Sequence, residues 1–253
     1  PMDLDYSEYQ KKVTERNCFF GEENFTCGFS FPDKHTYSPL KMTKDEKEIL
    51  DGLKTITPAP SFWSCRTLGK KIRPALTEAI KTTENNYYKD NLAIALALTG
   101  GKAAAPYLRD AVSRRSCQFY KDCRRSNQFL GVNAICMLGR LADRESYGIL
   151  SQIAFDPEEY KKEMYHTLKP AYIFFSGENF NYVYFQYFTH SIMALVKIAE
   201  KNAELKADLT KKLKILFSDD NYIRCITPLE EYSKEYREVK DFADYVMKRC
   251  TGK

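Results

Sequence analysis

Between Asn91 and Leu98 the chain reads Asn-Leu-Ala-Ile-Ala-Leu-Ala-Leu, small and apolar nearly all round. That pattern suits a helix enclosed by neighbours on every side. Just before and just after it the chain repeats itself. Thr67 to Ile80 and Thr99 to Val112 share T-x-G-K-x-x-x-P-x-L-x-x-A-[IV] without a gap, with six identical positions 32 residues apart. Within each copy the Gly-Lys pair predicts a turn. Pro74 or Pro106 then falls in the first helical turn, where a missing N–H has no intrahelical partner to lose. Self-similarity at such a period marks an architecture whose units bury their apolar faces by stacking on one another.

Two looser copies follow. Val132-Asn133-Ala134-Ile135-Cys136-Met137-Leu138-Gly139 leads to a turn at Ala142-Asp143-Arg144 and a helix carrying Tyr147, Ile149, Leu150 and Ile153. Matching Leu98 to Leu138 and Leu108 to Leu150 gives offsets of 40 and 42. The fourth copy runs from Ile192 to Ala199 and on through Leu205, Leu209, Leu213 and Leu216, at an offset near 60 that requires an insertion of about 20 residues, near 157–182. Leu229, Tyr232, Tyr236, Val239, Phe242 and Val246 recur at helical spacing and predict a final capping helix from Leu229 to Cys250. Asp156-Pro157-Glu158-Glu159 reads as a helix start.

The expected organisation is one continuous all-α domain. Residues 1–61 form an irregular, aromatic-rich N-terminal extension with a first helix, and residues 62–253 form the repeat array. Thr43-Lys44-Asp45-Glu46 reads as a capping box opening that first helix, which runs through Leu53 before Pro58-Ala59-Pro60.

Helix pairs whose small-residue first helix ends in L-G or T-G-G, followed by a short turn and a second helix with leucine and alanine three residues apart, resemble HEAT-type repeats of the phycobilisome-lyase-like kind. The resemblance covers roughly residues 62–217. It implies an α-α superhelix that presents a surface to another macromolecule, alone or as an accessory domain of a larger assembly. It says little about chemistry, since unrelated functions share such scaffolds. The deoxyhypusine hydroxylase branch holds its metal with His-Glu pairs, which this chain lacks. The alternative class is an enzyme or nucleic-acid-acting protein on the same kind of scaffold. DNA-repair glycosylases of this architecture need a basic concave face with an aromatic residue and a carboxylate, whereas the single tryptophan, Trp63, stands outside any basic cluster.

Composition narrows the classes. Hydrophobic residues make up 43% and charged residues 29%, and 39 basic against 34 acidic residues leave a net charge of +5. This is the profile of a folded chain without the dense basic stripe of a nucleic-acid binder. A protein or peptide partner is expected and an acidic ligand comes second. No stretch approaches the ~20 apolar residues of a membrane span. Pro1 ahead of Met2 looks like a vector remnant.

Eight cysteines suggest three local disulfides: Cys18 with Cys27, Cys117 with Cys123, and Cys225 with Cys250. Together with the sequon Asn24-Phe25-Thr26 they point to a periplasmic or extracellular protein, against a cytoplasmic one with reduced core thiols. The three histidines are scattered and no C-x2-C pair exists, so neither metal nor cofactor is expected.

Two segments are candidate binding sites. Nine aromatic residues crowd into positions 172–188. Either they fill space against the N-terminal extension, or Tyr182, Tyr184 and Tyr187 form a contact surface with Glu178 and His190 as nearby polar groups. The loop Ser113–Asn127 carries Arg114, Arg115, Arg124 and Arg125 around Cys117 and Cys123. It is either a solvated connection or a grip for an acidic group through forked guanidinium donors. No nucleophile-base constellation or phosphate loop stands out, and the expectation leans away from catalysis.

Overall fold

The computed structural model describes residues 45–55, 68–113, 128–156, 177–218 and 246–251, and within these the side chains of 128–130, 132 and 177–186 fall outside the description. The described residues are helical, with no strand among them. Eight α-helices follow in order: α1 Glu46–Thr55, α2 Arg73–Thr82, α3 Asn86–Leu98, α4 Ala105–Ser113, α5 Gln128–Leu141, α6 Tyr147–Phe155, α7 Gly177–Glu200 and α8 Ala203–Ser218. Residues 246–251 form a last helical turn.

The first helix is capped by Asp45, which belongs to the expected Thr43–Glu46 capping box. The Asp45 carboxylate accepts from the backbone N–H of Lys47 at 2.8 Å and of Glu48 at 3.1 Å, which pairs amides that have no partner inside the helix. Thr43 lies outside the described residues. The helix ends at Thr55, two residues past the expected end, with Ile49 and Leu53 on its buried face.

The doubled sequence folds as a doubled structure. Gly69 and Gly101 each precede a single 3-10 turn, Lys70–Ile72 and Lys102–Ala104, that runs directly into α2 and α4. Pro74 sits in the first turn of α2. The third copy repeats the arrangement, with Asp143 preceding the 3-10 turn Arg144–Ser146 and then α6. Seven residues past Gly69, Gly101, Asp143 and Asn202 stand Leu76, Leu108, Leu150 and Leu209, and all four are fully buried. Four residues further on, Ile80, Val112, Ala154 and Leu213 are buried as well.

The register of the third copy differs from the expected one. The N–H of Gly101 bonds the carbonyl of Leu96 at 3.0 Å, and the N–H of Asp143 bonds that of Leu138 at 3.1 Å. Gly100 and Ala142 close the inner pair of each motif, with φ of 78° and 52°. Both are Schellman ends, a helix terminus that needs one left-handed residue. Leu138 therefore corresponds to Leu96 and not to Leu98, and the offset is 42 from the helix end through Leu150.

Each helix packs on helices one or two places away in the chain. Helix α3 lies against α1, α2, α4 and α5; α5 lies against α3, α4 and α7; α7 lies against α5, α6 and α8. The three helices α3, α5 and α7 thus form a central row. The enclosure expected for Asn91–Leu98 holds, since Asn91 to Ala97 are all buried. The buried amide of Asn91 donates to the Leu53 carbonyl at 3.0 Å, fastening α3 to the end of α1. Without that bond the amide would have lost its water for nothing, at a cost of about 1–3 kcal/mol.

Candidate interaction surfaces

Helix α7 carries five of the expected site residues. Glu178, Tyr182 and Tyr184 lie in its N-terminal half, where only the backbone is described. Tyr187 and His190 are 2% and 7% exposed. They are core side chains, which fits the space-filling alternative for this segment. A Cβ placed on Gly131 of α5 would stand 2.0 Å from the Tyr187 hydroxyl oxygen and 2.7 Å from Cζ. The absent side chain of Gly131 is what lets the hydroxyl end of the phenol ring come this close to α5. Phe188 is fully buried beside it, and the Thr189 hydroxyl lies 3.5 Å from His190 Nδ1. At these positions the aromatic density is packing.

Arg114, Arg115, Arg124, Arg125, Cys117, Cys123, Cys18, Cys27 and Cys225 lie outside the described residues. Cys250 is described, and its thiol is free and buried, in place of the expected bond to Cys225. Burial pushes this thiol above its ordinary pKa, with Glu200 adding to the effect. A thiol so placed is a poor nucleophile at neutral pH.

Arginines the sequence did not single out cross from one repeat to the next along the turns. Arg73, at the start of α2, donates through Nε to the Thr99 hydroxyl at 3.2 Å and through Nη2 to the Thr99 carbonyl. A cation thereby meets the negative end of the α3 dipole. Arg109 of α4 bridges Asp143 and Glu145 at 2.7 Å each. Arg144 pairs with Glu204, and Arg249 of the last turn donates to Glu200 at 2.6 Å. The more exposed of these pairs contribute little each. Arg109 and Asp143, 23% and 14% exposed, are the best shielded from solvent screening.

A second polar cluster joins α6 to α8. The Tyr147 hydroxyl donates to Asp208 at 3.0 Å, and Lys212 pairs with the same carboxylate at 2.8 Å while lying over the Tyr147 and Phe155 rings. Burial, reinforced by the Asp208 carboxylate, raises the Tyr147 pKa far above that of a free phenol. The Lys212 ammonium holds Asp208 below the usual carboxylate range, against a smaller opposing effect of burial. Near neutral pH the phenol stays protonated and the carboxylate ionised. The cluster is a clip between helices and has no group poised to exchange a proton.

The remaining feature is the outer face of α8. A groove of about 700 Å³ runs along it, bounded by Lys206, Thr210 and Lys214 on one side, by Ile215 at one end and by Cys250. Ile215, 63% exposed, is the large hydrophobic residue left in solvent among the described residues. The signal was in the sequence. Leu209, Leu213 and Leu216 fix the buried face, and the positions lining the groove on the other side of the helix are alanine, lysine, Thr210 and Ile215.

Among the described residues no group of three His, Cys, Asp or Glu side chains could hold a metal ion, and no helix is long and apolar enough to cross a membrane. Compared with family models, with curated proteins and with solved structures, the chain matches none of them.

Proposed function

We propose that this protein is a HEAT-like helical-repeat scaffold, an α-α superhelix that binds a protein partner without transforming it. The observation that carries this reading is the recurrence of one packing position, Leu76, Leu108, Leu150 and Leu209, at the same distance from four inter-helix turns, in helices that pack on others one or two places away in the chain. Such arrays gain stability from neighbour to neighbour and present long continuous faces, the usual requirement of a scaffold. Several chemistry-bearing side chains among the described residues support the same reading, because they have a structural employment. Arg73, Arg109, Arg144 and Arg249 tie turns together, and Tyr147 with Asp208 and Lys212 ties two helices. A periplasmic or extracellular setting, an accessory role in a larger assembly, and contacts through Tyr182, Tyr184 and Glu178 or through the Arg114–Arg125 loop belong to this proposal.

The test is chemical cross-linking with mass spectrometry of the purified chain and the proteins it retains from an extract of its source. A stoichiometric complex with one protein, cross-linked through exposed faces of the array, supports the scaffold. A chain that stays monomeric and uncross-linked in every extract, yet turns over a small molecule, overturns it.

A further inference from the structure

The outer face of α8 is built unlike the other exposed faces, and its chemistry specifies what would sit on it. Two parallel rows run along this face at the i, i+4 spacing of helix ridges. One is Ala203, Ala207, Lys211 and Ile215, and the other is Lys206, Thr210 and Lys214. Together they cover about 18 Å of helix, or just over three turns. The short Ala203 and Ala207 side chains let a second helix come close, Ile215 offers an apolar anchor, Lys211 stands between Ala207 and Ile215 in that row, and Lys206 and Lys214 stand in the row beside it.

Charge decides among occupants. The two acids of α8 are already engaged, Glu204 by Arg144 and Asp208 by Lys212 and Tyr147. Lys206, Lys211 and Lys214 form no ion pair among the described residues. The face is therefore locally cationic beyond the +5 of the whole chain. A symmetric pairing of two copies through it would set lysines against lysines, since a two-fold interface brings a patch onto itself. A phosphate backbone would engage the lysines by charge but leave the apolar floor and the protruding isoleucine without a contact.

We propose that the exposed face of α8 is a docking site for an acidic amphipathic helix of a partner protein, seated by Ile215 and held in register by Lys206, Lys211 and Lys214. This rests on the scaffold reading and names the class of its partner. The helix lies along the groove with its apolar stripe on Ala203, Ala207 and Ile215 and its carboxylates toward Lys206, Lys211 and Lys214, the helix-in-groove mode of recognition.

The experiment uses the full chain and a fluorescein-labelled peptide of about 18 residues, long enough to span the groove, with leucines at i, i+3, i+4 and i+7 and glutamates flanking them. A matched peptide carries lysine at every glutamate. Anisotropy is read at low and high salt for the wild type, for Ile215→Ser, and for Lys206→Glu/Lys211→Glu/Lys214→Glu, with circular dichroism confirming that each variant is folded. The acidic peptide should bind the wild type. Each variant should weaken it about 10-fold or more, as expected from losing one buried isoleucine or reversing three contacting charges, and salt should weaken it too. Equal binding of both peptides, unchanged affinity in the variants, absence of binding, stronger retention on anionic vesicles or DNA, or a wild-type dimer that Ile215→Ser dissociates would each overturn the proposal. A partner found by cross-linking but attached elsewhere would sink this site and leave the scaffold standing.

Discussion

Substituting Gly131 by alanine sets two known effects against each other. In an ordinary helix interior the change stabilises by about 1 kcal/mol, because alanine restricts the unfolded chain and favours helix. Here the new Cβ would fall 2.0 Å from the Tyr187 hydroxyl and 2.7 and 2.9 Å from two ring carbons, all closer than real Cβ contacts allow. The ring is 2% exposed, and overpacking of a buried side chain costs about 1–3 kcal/mol. At the upper end of that range the net loss is about 2 kcal/mol, or roughly 4–8 °C in Tm for a chain of this size. Gly148 supplies the control, since it lies in α6 with nothing within 4 Å of a built Cβ. Thermal and urea unfolding of Gly131→Ala, Gly148→Ala and Gly131→Ala/Tyr187→Phe decide the matter. The first should lose stability, the second should gain up to about 1 kcal/mol, and the third should recover part of the loss because the closest contact is gone. If Gly131→Ala is as stabilising as Gly148→Ala, Tyr187 does not pack on α5 and the space-filling reading of its role is wrong.

The remaining expectations concern turns, a thiol and pH. Ala142→Gly should stabilise by about 1 kcal/mol, since it relieves a left-handed non-glycine residue; Gly100→Ala should destabilise by a similar amount, both read by urea unfolding. Cys250 should resist a thiol reagent in the native state and react once denatured, while cysteine mapping that finds it bonded to Cys225 would contradict the free thiol. Tyr147 has its folded pKa raised, so its contribution is intact below the unfolded value near 10 and is lost as pH climbs past it. Stability should fall as pH rises above about 10, and Tyr147→Phe should flatten that arm. Asp208 has its folded pKa lowered, so its contribution is present at neutral pH and fades as pH falls below about 4; its exposure keeps the effect small.

What the sequence made legible was whatever depends on local chemistry with a fixed spacing. Gly69, Gly101, Pro74 and Pro106 punctuate turns for reasons that act within a few residues, and the leucine seven positions on is buried by helix periodicity alone. The third turn was harder because alanine, not glycine, takes the left-handed position at 142. Aligning on leucines there shifted the register by two residues that only the Schellman bonds reveal. Thr43 and Asp45 both cap well in principle, and the choice depends on where the chain enters the helix. The role of Tyr187 turned on a non-local fact, the glycine of α5 that accepts its ring. Glu178, Tyr182, Tyr184 and the arginine loop keep the readings their sequence gives them. The α8 face was visible as the polar complement of its leucine stripe, and was passed over because lysine-rich helix faces are usually solvated.

The most direct test of the stacked-repeat account is truncation of the four recurring leucines, Leu76→Ala, Leu108→Ala, Leu150→Ala and Leu209→Ala, followed by hydrogen exchange. The account predicts that each costs about 2–5 kcal/mol, with lost protection concentrated in the mutated helix and the helices packed on it, so that Leu108→Ala loosens α3, α4 and α5 before α8. A loss below about 1 kcal/mol at any of the four, or uniform deprotection of all helices from every site, would contradict an array built from one repeated packing position.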